Sequence, residues 1–281
     1  MIAHTLACLG RHGFHRLAYY EWIGPSGAPT VLCLHGLTRN GHDFDVLAET
    51  LSIEFRVVAL DFPGRGQSEW LSHPDDYVTE TYAADAAAVI ARLGVDQVDI
   101  VGTSMGGIVG MALAAQRGNP IRKLVINDVG PLIAKRGLKR IRRYVGRDPS
   151  FIDIAALEAT LRWVFAEFGN LPDSTWRRMA EQSPRRKSDG SFGFNYDPKI
   201  AVPFKHGWFV RDISLWNLYD AMTCPTLVLR GADSDILRRA DAEAMTRRGP
   251  RAKLVEFAGM GHAPSLTMPD QIGCVRDFLR G

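Results

Sequence analysis

The sequence predicts an α/β protein: a doubly wound, mostly parallel sheet that carries a helical cap insertion. Short apolar runs typical of buried strands alternate with helical patterns, and the runs end at glycine or polar residues. One long segment lacks this alternation. With 281 residues and 46% hydrophobic residues, the chain is long enough to bury a large core without disulfides or metal ions.

The apolar runs predict parallel strands that are buried on both faces. They lie at residues 30–34, 55–60, 97–101, 123–126, 226–230 and 252–257. The stretch 14–22 predicts an antiparallel strand ahead of them. Between the strands, apolar spacing predicts helices at 82–93, 105–115 and 271–279, the last opened by Thr267-Met268-Pro269-Asp270.

The segment 131–222 shows no alternation of strand and helix, so we expect a helical cap there and a core domain formed by 1–130 and 223–281. The aromatic residues of this segment form either the cap's own core or an apolar or aromatic substrate pocket. They are Trp163, Phe165, Phe168, Trp176, Phe192, Phe194, Tyr196, Trp208 and Trp216.

The cap also carries a basic stretch at 135–147. Four of its arginines fall on one helical face: Arg136, Arg140, Arg143 and Arg147. This face is either solvated, as in many amphipathic helices, or it recruits an anionic substrate or partner.

Charge and cysteine content restrict the class of protein. There are 34 Lys and Arg against 31 Asp and Glu, a net charge of +3, so nucleic acid is not expected as a partner. The four cysteines are scattered, without zinc or disulfide spacing, which favours a cytoplasmic location. No apolar run reaches membrane-spanning length, and residues 1–8 resemble an export signal only superficially. We expect a monomer or homodimer.

The strongest local motif is Gly102-Thr103-Ser104-Met105-Gly106, between a predicted strand and a predicted helix. The pattern G-x-S-x-G in this context predicts a nucleophile elbow, with Ser104 in a strained conformation above the strand. The glycines avoid collisions in the sharp turn, and the helix N-terminus adds positive potential. The alternative is a glycine-rich turn with an inert serine.

A nucleophilic serine needs a base, and His262 follows the last predicted strand, at the same sheet edge as Ser104. The alternative for His262 is a surface loop histidine. The remaining histidines are expected to be solvated or structural, with His35 holding its own loop. They are His4, His12, His15, His35, His42, His73 and His206.

An aspartate should orient His262. Asp235 is favoured because Ile236 and Leu237 follow it and can anchor it inward, whereas Asp128 and Asp233 are the alternatives. For the oxyanion hole, the expected backbone donors are the N–H groups of Met105 and Leu37.

These motifs together resemble the α/β-hydrolase family. The resemblance rests on His35-Gly36, the loop from Asp61 to Ser68, the elbow at Ser104, the segment Gly231 to Asp235, and Gly261-His262. It implies that the 61–68 loop packs beside the active site and that a helical cap covers the pocket. Members usually carry the acid three residues after the glycine, where this chain has Ser234. The serine separates the chain from relatives that use an aspartate or cysteine nucleophile.

The resemblance implies a serine hydrolase that cleaves small carboxylic esters through an acyl-enzyme, with a small apolar or aromatic ester as substrate. The chemistry requires no cofactor and no metal. Two alternatives remain open at the level of the sequence. One is a C–C bond hydrolase of aromatic ring-cleavage products or an acyltransferase, and the other is a slow-turnover ligand sensor of the same fold.

Overall fold

The computed structural model describes residues 1–203 and 212–281. His206 and Trp208, which the sequence analysis named, lie outside the described residues. Within these two ranges, no helix is long and apolar enough to cross a membrane.

In the described part of the chain, the main sheet has eight strands and is accompanied by two small two-stranded sheets. In chain order the strands are β1 Ile2–Gly10, β2 Gly13–Trp22, β3 Thr30–Leu34, β4 Arg56–Asp61, β5 Val98–Thr103, β6 Ile121–Asn127, β7 Leu132–Ile133, β8 Pro184–Arg186, β9 Phe192–Phe194, β10 Ile213–Ser214, β11 Thr226–Gly231 and β12 Lys253–Phe257.

The α-helices are α1 Asp45–Leu51, α2 Thr79–Leu93, α3 Met105–Ala114, α4 Lys135–Ile141, α5 Ile154–Val164, α6 Asp173–Glu181, α7 Trp216–Ala221, α8 Arg239–Met245 and α9 Pro269–Arg280. The sequence analysis predicted α2, α3 and α9 close to these bounds. The expected hydroxyl cap of α9 is not formed, because Met268 occupies the N-cap position without a side-chain hydrogen bond.

The main sheet has the order β1-β2-β4-β3-β5-β6-β11-β12. All neighbours from β4 to β12 pair in parallel, whereas β2 is antiparallel to both β1 and β4. The predicted mostly parallel α/β sheet is therefore confirmed. The edge strand β1 was not predicted, since its mostly exposed residues do not form the apolar run of a buried strand.

Helices cover both faces of the sheet, as expected for a doubly wound fold. On one face, α2 and α3 pack through residues such as Val89 and Val109. On the other, α1 and α9 pack through residues such as Leu47 and Val275. The parallel strands are buried from both sides, which explains their continuous apolar sequences.

The segment between β6 and β11 packs in two ways. One part forms its own apolar cluster around Leu157, Leu161 and Trp176. Another part packs on the main core, through α4 and through Tyr196 and Ile200. Most described cap aromatics lie in or against these clusters, but Trp163 is 79% exposed. The division into a core domain and a cap at residues 131 and 222 stays a prediction.

Candidate active site

Ser104 lies at the sharp turn between β5 and α3, with φ of 53° and ψ of −116°. The turn is so tight that a Cβ on Gly102 would lie 2.4 Å from the carbonyl oxygen of Gly106. A Cβ on Gly106 would lie 2.0 Å from the carbonyl oxygen of Leu34. Glycine is therefore required at both positions, and the serine is held in the strained geometry of a nucleophile elbow.

His262 lies in the loop after β12, and its Nε2 is 2.8 Å from Ser104 Oγ. The structure thus brings together the nucleophile and base candidates of the sequence analysis. Asn127 stabilises this arrangement, because its amide donates to the carbonyl oxygen of Pro264 and to Thr103 Oγ1. The loop that carries His262 is thereby tied to the end of β5.

Asp128, not Asp235, contacts His262. Asp128 directly follows β6, is fully buried, and places Oδ2 2.8 Å from His262 Nδ1. Its backbone has a positive φ of 53° and its N–H donates to the carbonyl oxygen of Leu229. Asp128 was an alternative acid in the sequence analysis, and it is the candidate whose carboxylate contacts His262.

The carboxylate of Asp235, the acid preferred from the sequence, pairs with Arg140 and not with His262. This carboxylate accepts hydrogen bonds from Arg140 Nε and Nη2, both at 2.8 Å. Although burial opposes it, Arg140 lowers the pKa of Asp235. Asp233, the other alternative, is exposed and bonds Met260 only through its backbone N–H.

The Arg140 contact also changes the interpretation of the basic stretch. Arg140 bridges Asp235 and Glu167, whose Oε2 is 3.1 Å away, and so links α4 to the loop after β11. Arg136, Arg143 and Arg147 are exposed. Arg140 is thus already paired, which argues against its recruiting an anionic substrate.

Ser234 occupies the position at which the resemblance places the acid. Its Oγ accepts hydrogen bonds from the N–H groups of Ile236 and Leu237, at 3.2 and 3.1 Å. Its single proton is therefore donated to Asp128 Oδ2, at 2.6 Å. The N–H of Gly231 donates to Asp128 Oδ1 at 2.8 Å. These donors compensate the burial of the carboxylate, and sequence reasoning did not predict them.

The expected oxyanion residues, Leu37 and Met105, line the same cavity as Ser104. Arg65 contacts both of these residues and is fully buried. Its Nε donates to the carbonyl oxygen of Leu37 at 2.9 Å, and its Nη2 lies 3.7 Å from Met105 Sδ. The sequence analysis singled out the loop that contains Arg65, but not this residue.

His35 holds its loop by hydrogen bonds, as predicted. The N–H of Phe62 donates to its Nε2 at 2.9 Å, so the ring proton is on Nδ1, which donates to the carbonyl oxygen of Gly36. Burial lowers the pKa of His35 to about 3, so the ring is neutral. It serves as a structural support next to Ser104, not as a second base.

One cavity is lined by Ser104, and a second lies near the turn that carries it. The small cavity, about 90 Å³, is apolar and is lined by Ser104, Leu37, Met105 and mainly aliphatic side chains such as Ile108 and Ile236. The large cavity, about 260 Å³, adjoins Thr103 and the residues that follow His262. Its wall includes Arg39, His42, Asp43 and Arg178.

Within residues 1–203 and 212–281, no cluster of three or more His, Cys, Asp or Glu side chains is arranged to hold a metal ion. The chemistry described below uses the side chains and backbone groups of the chain itself.

The fold and the serine, histidine and aspartate contacts define a class of protein, and comparison agrees with it. The model of the α/β-hydrolase fold family matches residues 29–269. The chain therefore belongs to the α/β-hydrolase fold family, and it is a hydrolase of that fold.

Individual relatives match over nearly their whole length. A 3-hydroxybutyrate-oligomer hydrolase of Cupriavidus necator is 41% identical over 281 residues, covering 98% of this chain and 96% of the relative. An α/β hydrolase from Novosphingobium aromaticivorans has a crystal structure with a TM-score of 0.89 and 36% identity, covering 99% and 98% of the two chains. A Rickettsia typhi protein gives a TM-score of 0.92 at 30% identity, covering 100% and 99%.

Proposed function

We propose that this protein hydrolyses short-chain carboxylic esters through an acyl-enzyme on Ser104, with His262 as base and Asp128 as orienting acid. The observation that carries this proposal is the hydrogen-bonded chain from Ser104 to His262 to Asp128, 2.8 Å at each link, beside an apolar cavity. Such a chain activates a hydroxyl that is otherwise a weak nucleophile.

In the first half-reaction, Ser104 Oγ attacks the ester carbonyl carbon while its proton passes to His262 Nε2. The tetrahedral intermediate collapses, the C–O bond to the alcohol breaks, and His262 returns the proton to the leaving oxygen. In the second half-reaction, water attacks the acyl-enzyme with His262 again as base. Asp128 stabilises the imidazolium in both steps without accepting the proton.

The negative charge of each tetrahedral intermediate develops next to the N–H groups of Leu37 and Met105, beside Ser104. Met105 begins α3, so the helix N-terminus adds positive potential at that point. The guanidinium of Arg65 fixes Leu37 through its carbonyl oxygen and is fully buried, with no ion pair to the described carboxylates. This arrangement keeps a positive charge close to the developing oxyanion.

The small cavity indicates a short acyl group. Its volume of about 90 Å³ is well below the ~300–1,000 Å³ of pockets for drug-sized ligands. Tyr77 and Tyr82 line this cavity, but most of its side chains are aliphatic, so an aliphatic acyl group is favoured over an aromatic one. The Cupriavidus necator relative is named for hydrolysis of 3-hydroxybutyrate oligomers. We therefore propose a 3-hydroxybutyryl-sized acyl group.

The test is the hydrolysis of p-nitrophenyl esters from acetate to octanoate by the wild type and by Ser104→Ala. We expect a maximum at about four carbons and a loss of roughly 10³-fold or more in kcat for Ser104→Ala. Circular dichroism checks that the variant is folded. Equal rates for the two proteins would contradict the nucleophile assignment, and a maximum at octanoate would contradict the size assignment.

A further inference from the structure

We propose that the large cavity binds the alcohol half of the ester and that Arg178 pairs there with a carboxylate. The substrate class is then an ester whose alcohol component is itself a hydroxy acid. This inference rests on the proposed function, because it assigns the two halves of the substrate to the two cavities near Ser104.

The position of His262 assigns the alcohol half to the large cavity. The leaving oxygen must lie where His262 can protonate it, so the alcohol extends toward the His262 side of Ser104. Residues 263–265, which directly follow His262, line the large cavity. The expected oxyanion residues, Leu37 and Met105, line the small cavity instead.

The charged groups of the large cavity carry a positive surplus. Arg39 is neutralised by Asp43, which accepts hydrogen bonds from Nε at 3.0 and 3.1 Å, and Nη1 donates to Ser183. His42 is hydrogen-bonded to Asp45 at 3.1 Å. Burial opposes protonation of His42, but the aspartates around it raise its pKa above the usual value.

Arg178, on the cap helix α6, is the cation of this cavity best placed for a ligand. The side chain is 48% exposed, and its ion pair within the described residues is with Glu49 at 3.8 Å, the long end of the range. A guanidinium donates two parallel hydrogen bonds to a carboxylate, and no described side chain uses them in this way. Arg178 therefore has donors to offer a bound anion.

The two cavities together give the substrate a direction. A four-carbon acyl unit occupies the small cavity, the ester carbonyl lies at Ser104, and the carboxylate of the alcohol unit reaches Arg178. A dimer of 3-hydroxybutyrate has this arrangement of an acyl unit, one ester bond and a terminal carboxylate. Its hydrolysis by water gives two molecules of the hydroxy acid, with the new hydroxyl formed at the alcohol unit.

The neighbouring Arg177 provides a matched control. It lies on the same helix and is 55% exposed, but it pairs with Glu181 at 3.1 Å and Glu158 at 3.6 Å. It does not line the large cavity. The same Arg→Gln change at 177 and 178 therefore separates the loss of surface charge from the loss of a carboxylate contact.

The experiment compares the 3-hydroxybutyrate dimer as free acid with its methyl ester, which lacks the charge. For the wild type, kcat/KM should favour the free acid. In Arg178→Gln, the ratio of kcat/KM for the free acid to that for the methyl ester should fall about tenfold, mainly through KM. Arg178→Lys should retain part of the preference, and Arg177→Gln should retain all of it.

An unchanged ratio in Arg178→Gln, or an equal fall in Arg177→Gln, would overturn the assignment. So would a wild type that cleaves p-nitrophenyl butyrate in a Ser104-dependent way but does not prefer the free acid, and the proposed function would survive that result. If no ester is cleaved, the proposed function fails. Calorimetric titration of 3-hydroxybutyrate into Ser104→Ala, with and without Arg178→Gln, then decides separately whether Arg178 binds a carboxylate.

Discussion

Asp128 and Asp235 follow the neighbouring parallel strands β6 and β11, yet their carboxylates have different kinds of hydrogen-bond partner. Asp128, after β6, is fully buried and accepts hydrogen bonds from the neutral groups of Gly231 and Ser234 as well as from His262. Asp235, after β11, forms a bidentate ion pair with Arg140.

The difference shows that the hydrogen-bond partner of a carboxylate determines what the carboxylate can do, as much as its place in the fold does. A guanidinium neutralises Asp235, so this carboxylate has little charge to offer a neighbouring imidazolium. Neutral donors satisfy the lone pairs of Asp128 but leave its charge uncompensated. In the proposed mechanism, that charge stabilises His262 when the ring takes the proton from Ser104.

We expect the largest effect from replacing each of the two aspartates by asparagine. Asp128→Asn should lower kcat by about 10³–10⁴-fold, because an amide no longer stabilises the imidazolium or fixes the ring tautomer. Asp235→Asn should lower kcat by less than about fivefold and reduce the free energy of unfolding by about 1 kcal/mol, since it weakens a partly exposed ion pair. Steady-state kinetics on p-nitrophenyl butyrate and urea denaturation measure both variants.

A reversal of these two results would restore Asp235 as the orienting acid. Equal losses of activity in both variants would indicate that the Arg140 link between α4 and the loop after β11 also positions His262. The urea data separate that outcome from simple unfolding.

The choice between the two aspartates could not be made from the sequence. Both follow buried strands, and Asp235 was favoured only because the apolar Ile236 and Leu237 follow it. The deciding contact, between His262 Nδ1 and Asp128 Oδ2, joins residues 134 positions apart and depends on side-chain orientation. Sequence position alone does not give that orientation.

Other features could be predicted because they depend on local pattern. The apolar run at 30–34 matches β3, since a strand covered on both faces needs apolar residues throughout. Ser104 could be identified because the close approach at Gly102 and Gly106 tolerates no side chain. Arg65 escaped notice because an arginine is rarely fully buried, and only the folded structure shows its contact with Leu37.

We expect an intermediate effect on kcat from replacing Ser234, which we interpret as a positioning residue for Asp128. Ser234→Ala removes a neutral donor from Asp128 and should lower kcat about tenfold while KM changes by less than about twofold. Ser234→Thr keeps a hydroxyl and should recover most of the activity. Kinetics on p-nitrophenyl butyrate give both parameters.

The double variant Asp128→Ala/Ser234→Asp tests whether a carboxylate at position 234 can replace that of Asp128. It moves the carboxylate to the position that the family usually uses, close to His262, and should be more active than Asp128→Ala alone. Equal activity of these two proteins, or a purely KM effect of Ser234→Ala, would contradict a positioning role for Ser234.

The smallest effect comes from a second buried His–Asp pair, which joins β2 to α2. His15 Nε2 lies 2.9 Å from Asp85 Oδ2, and the two side chains are 5% and 2% exposed. The hydrogen bond that His15 donates to Asp85 raises the pKa of His15 above its usual value, despite the opposing effect of burial. Because the folded-state pKa is the higher one, the resulting stabilisation is complete below about pH 6.5 and is lost as pH rises through the folded-state value.

His15→Gln keeps a donor for Asp85 but cannot carry the charge. We therefore expect the free energy of unfolding to fall by about 1–2 kcal/mol at pH 6, with a smaller loss at pH 9, in urea denaturation. The half-exposed pair of His12 and Asp76, 2.7 Å apart, supplies the control His12→Gln, with a smaller loss at pH 6. A loss for His15→Gln that stays constant with pH would show that packing, not charge, holds this pair. The kcat of folded His15→Gln should equal that of the wild type, because His15 is not part of the hydrogen-bonded chain from Ser104 to Asp128.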